Sequence, residues 1–299
     1  MLTTLPEHFQ TDFDDNWSHL LQQKDSRLSD KVDKKPINGK ERTVSQIGSG
    51  KMRLITTRNG KTVPSDSTFA KRWIRLVGYD EVTYIDEFDE QSLGDLPAPE
   101  SAHVMQHAMA ANRTKDEVLI TALEGTAYLG ENGTTAVDVP ASQKVAVDYV
   151  KTGAATNSGL TLTKLLRSKY LLDVQEVESE GRYFVHSAQQ LYDLLNDVDQ
   201  VSNSDYASIK ALVEGNVNRF AGFEFVMTEL LTLNASSDVR TCIAYHKMGV
   251  CLCEGKERKV KISIRDDLNE TIQVRTVIQL GASRTEEERV VLVYTDESP

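Results

Sequence analysis

The sequence predicts an α+β fold made of a long extended hairpin, one long helix and a compact unit of alternating helices and strands. Three observations predict it. From Ser101 to Gly125, Val104, Ala108, Ala111, Val118 and Ala122 recur at helical spacing, with Met105, Met109, Leu119 and Leu123 alongside. Residues 41 to 79 carry β-branched residues around an Asn59-Gly60 turn signal. Residues 161 to about 255 alternate helical and strand patterns, as a compact α/β unit does.

Composition narrows the possibilities. The chain has 299 residues, 39% hydrophobic and 26% charged, with a net charge of −11. That length allows two core-bearing units. The acidic balance argues against general nucleic-acid binding, which needs clustered Lys and Arg. No apolar run approaches the ~18 residues of a membrane helix. The start, MLTTLPEHFQTDFDD, lacks the basic-then-apolar plan of a signal peptide. Cys242, Cys251 and Cys253 have no zinc-site spacing and read as reduced apolar residues.

Taken in order, residues 1 to about 35 are polar and charged. Phe9, Phe13, Trp17 and Leu20–Leu21 predict an amphipathic helix over about 9–24, which must dock to be stable. Residues 41–58 and 69–79 predict the two long strands of a projecting hairpin. Phe69, Trp73 and Arg75 would share one face, with Ala70, Ile74 and Leu76 near the other. Its basic residues are Lys40, Arg42, Lys51, Arg53, Arg58, Lys61, Lys71, Arg72 and Arg75, against Glu41 and Asp66. The next twenty-five residues, 76–100, reverse the sign: Asp80, Glu81, Asp86, Glu87, Asp89, Glu90, Asp95 and Glu100 have no basic residue among them. A basic arm beside an acidic segment suits head-to-tail contacts between copies. A DNA-binding β-arm is the alternative.

For the helix at 101–125, Pro97 and Pro99 read as blocks before it and Gly125 as its end. It would span roughly 38 Å. Its middle, Asn112 to Glu117, is polar on every side and reads as either exposed or facing another molecule. Residues 128–150 read as short strands and 153–159 as a small-residue linker. Helices are expected at 160–174, 187–196 and 205–214. Strands are expected at 182–186, at 220–226 through a corner at Gly222, and at 259–264, 271–280 and 289–294.

The search for chemistry yields no catalytic set. A phosphate loop needs a Gly five residues before Gly-Lys, but Gly50-Lys51 has Ser45 there and Gly60-Lys61 has Ile55. His103 and His107 are four apart on the helix, yet Val104 and Met105 stand where a zincin needs Glu. They read as histidines at a solvent or subunit surface. No Ser lies in a nucleophile elbow and no Cys has an evident His partner. The acidic cluster 80–90 lacks calcium-loop spacing. No catalytic residue, cofactor or metal is expected.

Blocks of sequence then carry a resemblance. They are LLQQKDSRL (20–28), VSQIGSG (44–50), VTYIDEFD (82–89), AMAANRTKDEVLITALEGTAYLG (108–130), EGRYFVHSAQQLYDLLND (180–197), SDYASIKALVEGNVNRFAGFEFVMTELL (204–231) and IAYHKMGVCLCEGKERKVKISIRDD (243–267). In number and order they resemble the major capsid proteins of tailed bacteriophages with the Hong Kong 97-type fold. One departure is Lys115-Asp116-Glu117, where that family often has two acidic residues.

The resemblance implies an N-arm (1–35), an E-loop (36–79), a P-domain (80–155) with the spine helix 101–125, an A-domain (156–262) and returning P-domain strands (263–299). It implies a self-assembling protein whose pentamers and hexamers, hundreds of copies in all, form an icosahedral or prolate virion shell around double-stranded DNA, built in the host bacterial cytoplasm. A portal protein at one vertex, separate scaffolding and decoration proteins and weak, non-specific contact with DNA are the implied partners, with no membrane. An N-arm beginning near Met1 implies no maturation cleavage, and covalent cross-linking is not expected. Arg53, Arg58, Lys61 and Trp73 are the expected arm contacts, with Asp86, Glu87, Asp89 and Glu90 as acidic acceptors and Phe13 and Trp17 docking the N-arm. A nanocompartment shell holding protein cargo, like encapsulin, shares the implied fold and is the alternative.

Overall fold

In the computed structural model, residues 22–58, 60–62, 64–85, 99–198, 219–268 and 271–298 are described. The helix expected at 205–214 and most of that at 9–24 lie outside them. The described chain opens with a 3-10 turn at Ser29–Lys31 and β1 (Asp33–Pro36). The hairpin follows as β2 (Glu41–Ile47) and β3 (Phe69–Arg75), antiparallel with Glu41 opposite Arg75 and Ile47 opposite Phe69. The strand expected over 69–79 is broken at Leu76. The chain continues as β4 (Val77–Ile85), which belongs to a different sheet. The reason is a crossing: a side chain at Gly281 would put its Cβ 2.4 Å from the Arg75 carbonyl oxygen. Glycine permits that approach of backbone to backbone.

Helix α1 spans Pro99–Glu124. Pro99 is its first residue rather than a block before it, since a first-turn proline gives up no needed N–H. Gly125 donates its N–H to the Thr121 carbonyl at 2.8 Å and closes the end. Then come β5 (Ala127–Leu129), β6 (Thr135–Val137) and β7 (Lys144–Val145). Helix α2 (Leu162–Val174) is capped by Thr161, whose hydroxyl accepts from the Lys164 N–H.

Next are β8 (Arg182–His186), α3 (Ala188–Val198), β9 (Arg219–Phe220), β10 (Phe223–Met227), β11 (Leu233–Asn234) and β12 (Val239–His246). β8 and β10 are parallel, so the chain between them crosses over, as parallel pairing requires. β9 and β10 join through Ala221 and Gly222, both left-handed at φ 52 and 87. The chain ends in β13 (Val250–Arg265), β14 (Thr271–Arg284) and β15 (Val290–Asp296).

Three sheets result. One runs β1-β13-β14-β4, the second β7-β15-β12-β8-β10-β9 with β11 paired to β12, and the third β2-β3-β5-β6. The boundary expected at 262 falls inside β13, and β15 lies in the seven-stranded sheet with β12. A shared core joins α1 to that sheet: Leu119 and Leu123 pack with Leu28, Leu165, Leu172, Phe184, Phe223, Tyr245, Val291 and Val293. Each such buried side chain contributes about 1.5–3 kcal/mol relative to exposure.

Candidate functional site

The projecting arm is built from the β2–β3 ladder outward. Gly48 N–H donates to the Thr68 carbonyl at 2.8 Å, and beyond it residues 49–67 form no strand among the described residues. Large apolar side chains stand in solvent there: Ile47 is 71% exposed, Met52 99%, Leu54 81%, Ile55 88% and Phe69 75%. An apolar group of this kind marks an interaction surface. Arg53, Arg58 and Lys61 are exposed beside it and form no ion pair among the described residues. The expected acceptors Asp86, Glu87, Asp89 and Glu90, and the docking residues Phe13 and Trp17, lie outside the described residues. Asp80, at the described start of the acidic segment, pairs with Arg275 at 3.0 Å.

The arm's root is held within the chain. Trp73 donates its indole N–H to the Gly130 carbonyl at 2.7 Å. Its ring covers Gly133, where a Cβ would come within 2.7 Å of the indole. Trp73 therefore sits at the root, packed on the β5–β6 turn, and not among the exposed arm residues. Arg75 pairs with Glu41 at 3.1 Å and lies over the Tyr128 ring at 5.3 Å. Arg72, one of the hairpin's basic residues by sequence, is buried. It grips Glu287 with both guanidinium nitrogens, Nη1 to Oε1 at 2.6 Å and Nη2 to Oε2. Behind this pair Arg284 is fully buried. It donates to the carbonyls of Leu123 (3.0 Å), Ala122 (3.3 Å) and Gly125 at the end of α1, and to Val137 (3.0 Å). Burial lowers its pKa, and the Glu287 carboxylate works in the opposite direction.

Much of the polar middle of α1 is engaged within the chain itself. Asp116 is fully buried and accepts from Gln23 Nε2 (2.5 Å), Ser26 Oγ (2.5 Å), Arg27 N (2.9 Å) and Leu28 N (3.2 Å). Asn112 donates to the Lys24 carbonyl at 2.8 Å, and Lys115 pairs with Glu254 at 3.0 Å. The stretch is a seat for the chain's own N-terminal segment. One of the two histidines departs from its expected surface position. His107 is buried, with Nε2 2.8 Å from Thr83 Oγ1 and Nδ1 3.1 Å from Thr276 Oγ1. Both ring nitrogens are engaged, and burial holds its pKa below the ordinary imidazole value.

Sequence reading missed Asp116, Arg284 and Lys164. The available signal was phase. Asp116 shares the i, i+3, i+4, i+7 stripe with buried Leu119, Ile120 and Leu123. Lys164 likewise lies in phase with buried Ser168 and Leu171.

Known proteins show the same architecture. A family model described as phage capsid protein matches residues 5–297. The capsid structure of cyanophage P-SCSP1u superposes with a TM-score of 0.74 at 18% identity, over 97% of this chain and 94% of that one. The capsid of Ralstonia phage GP4 gives a TM-score of 0.73 at 11% identity, over 100% and 99%. The capsid of a native GTA particle gives 0.65 at 12% identity, over 96% and 95%. No curated protein matches by sequence.

Proposed function

Because this chain belongs to the phage capsid protein family and is a structural major capsid protein with the Hong Kong 97-type fold, we propose that its arm, residues 47–69, is the surface by which one copy grips the next. The observation that carries this is the arm itself: Met52, Leu54 and Ile55 are almost wholly exposed beside Arg53, Arg58 and Lys61. A soluble monomer has no use for such a surface, whereas a second copy buries it. The cations then meet acidic groups of the neighbour, with Asp86, Glu87, Asp89 and Glu90 the candidates by sequence.

Within this frame residues 1–35 serve as N-arm, 36–79 as E-loop, 80–155 as P-domain and 156–262 as A-domain, with 263–299 returning to the P-domain. Copies close into pentamers and hexamers of a virion shell assembled in the host bacterial cytoplasm. A portal protein occupies one vertex, and any scaffolding or decoration proteins are separate chains. The net charge of −11 keeps the shell from gripping its double-stranded DNA. The role is structural, without turnover. A shell around protein cargo is not favoured, because the matching family is one of phage capsids.

Expression of the chain, followed by electron microscopy and sedimentation, tests the reading. Shells or capsomers are expected, and Arg53→Glu with Arg58→Glu should lower their yield and shift its salt dependence. Assembly by the double variant at wild-type yield and salt sensitivity would remove the arm cations from the contact.

A further inference from the structure

Residues 22–27 are held differently from Leu28 and Val32, which follow them. Residues 22–27, Gln-Gln-Lys-Asp-Ser-Arg, contain no apolar side chain and are exposed or half-buried. Leu28 is fully buried in the main core and Val32 is 2% exposed. The grip on 22–27 is wholly polar and centres on one carboxylate. Both oxygens of Asp116 are used, Oδ2 by Gln23 Nε2 and Arg27 N, and Oδ1 by Ser26 Oγ and Leu28 N. Ser26 Oγ also accepts from Ser29 N at 3.0 Å, so it is shared between catch and hinge. Two outer contacts complete the set: Asn112 to the Lys24 carbonyl, and Arg27 Nη1 to the Met227 carbonyl at 2.5 Å on β10.

We propose that residues 22–27 form a releasable latch, with Leu28 as its hinge and Asp116 as its catch. When shut, the latch fixes residues 22–27 over the middle of α1 and beside β10. When open, its own side chains add no apolar surface to solvent, because they are polar and Leu28 stays in the core. Opening therefore exchanges hydrogen bonds to Asp116 for hydrogen bonds to water and re-aims whatever precedes Gln22. A buried carboxylate serves this purpose better than an apolar anchor, because its contacts break together once the amides of Arg27 and Leu28 turn away. The latch belongs to the single folded chain and does not depend on how the shell is built.

The test uses the unassembled full-length chain. Lys24 and Arg27 place two tryptic sites within the latch. In Asp116→Asn, cleavage after these residues should be about tenfold faster or more, and amide exchange at Arg27 and Leu28 should rise, while β14 and β15 stay protected. Should Asp116→Asn unfold the chain, the double variant Gln23→Ala, Ser26→Ala removes donors from the latch side and leaves the helix intact. It should speed the same two cleavages. Unchanged cleavage in a folded Asp116→Asn chain overturns the latch. So does an unfolded Asp116→Asn chain joined by a folded double variant that is cut at the wild-type rate.

Discussion

Lys164 shows how a buried charge is accommodated in this chain. Its ammonium donates to the carbonyls of Val147 (2.7 Å), Ser158 (2.5 Å), Gly159 (3.0 Å) and Tyr294 (3.3 Å). Burial draws its pKa down to about 8, while the nearby carboxylates of Asp296, Asp148 and Asp193 pull the other way. The contacts join α2, the 147–159 segment and β15, which strand pairing does not link. Lys164→Met keeps the length and removes every donor, so unfolding in urea should show a loss of about 2–4 kcal/mol. Arg284→Met should cost about 3–5 kcal/mol by the same measurement, because it strips the end of α1 and leaves the Arg72–Glu287 pair with altered surroundings. Neither residue stood out in the sequence. Lys and Arg are nearly always solvated, and only their phase with buried neighbours hinted otherwise.

Elements were legible where periodicity was strong and their partners were close in sequence. β8 was expected at 182–186 and lies there, and α2 was expected at 160–174 and spans Leu162–Val174. The break at Leu76 was not legible. Nothing local stops a strand at that point, and the cause is β14 crossing two hundred residues later. The long helix was legible in length but not in orientation, because its polar middle has its partner at residues 23–28. The hairpin's root gives an element-scale prediction. Trp73→Ala should remove the hydrogen bond to Gly130 and the cover over Gly133, destabilising the β2–β3–β5–β6 sheet by about 2–4 kcal/mol. Hydrogen exchange should show this loss in β2 and β3 and much less in β15.

At the scale of the whole molecule, three buried imidazoles contribute to the response to mild acid. Burial lowers the pKa of His107, His186 and His246 below the ordinary value of 6.5. The unfolded chain then binds more protons than the folded one as pH falls through that value. Stability from these groups is therefore present above about pH 6.5 and drains away below it. Thermal melts from pH 7.5 to 5 should show a falling midpoint, and His107→Gln should flatten the slope. A flat profile in the wild type would contradict this. The same scale limits sequence reading most. Blocks along the chain pointed to the family and fold, yet the membership of β15 in the seven-stranded sheet rests on pairings such as Cys242 with Val293, which no local pattern announces. Exposed ion pairs at the arm contribute only about 0–1 kcal/mol each, so their weight in a shell comes from repetition.

The three cysteines have a practical consequence. The chain contains no others, and Cys242, Cys251 and Cys253 are all fully buried and free. The folded surface thus offers no native thiol to a maleimide. Residues 151–157 are exposed throughout, so Ala155→Cys would give every copy a single addressable label, and an assembled particle would carry one dye per subunit at a known place.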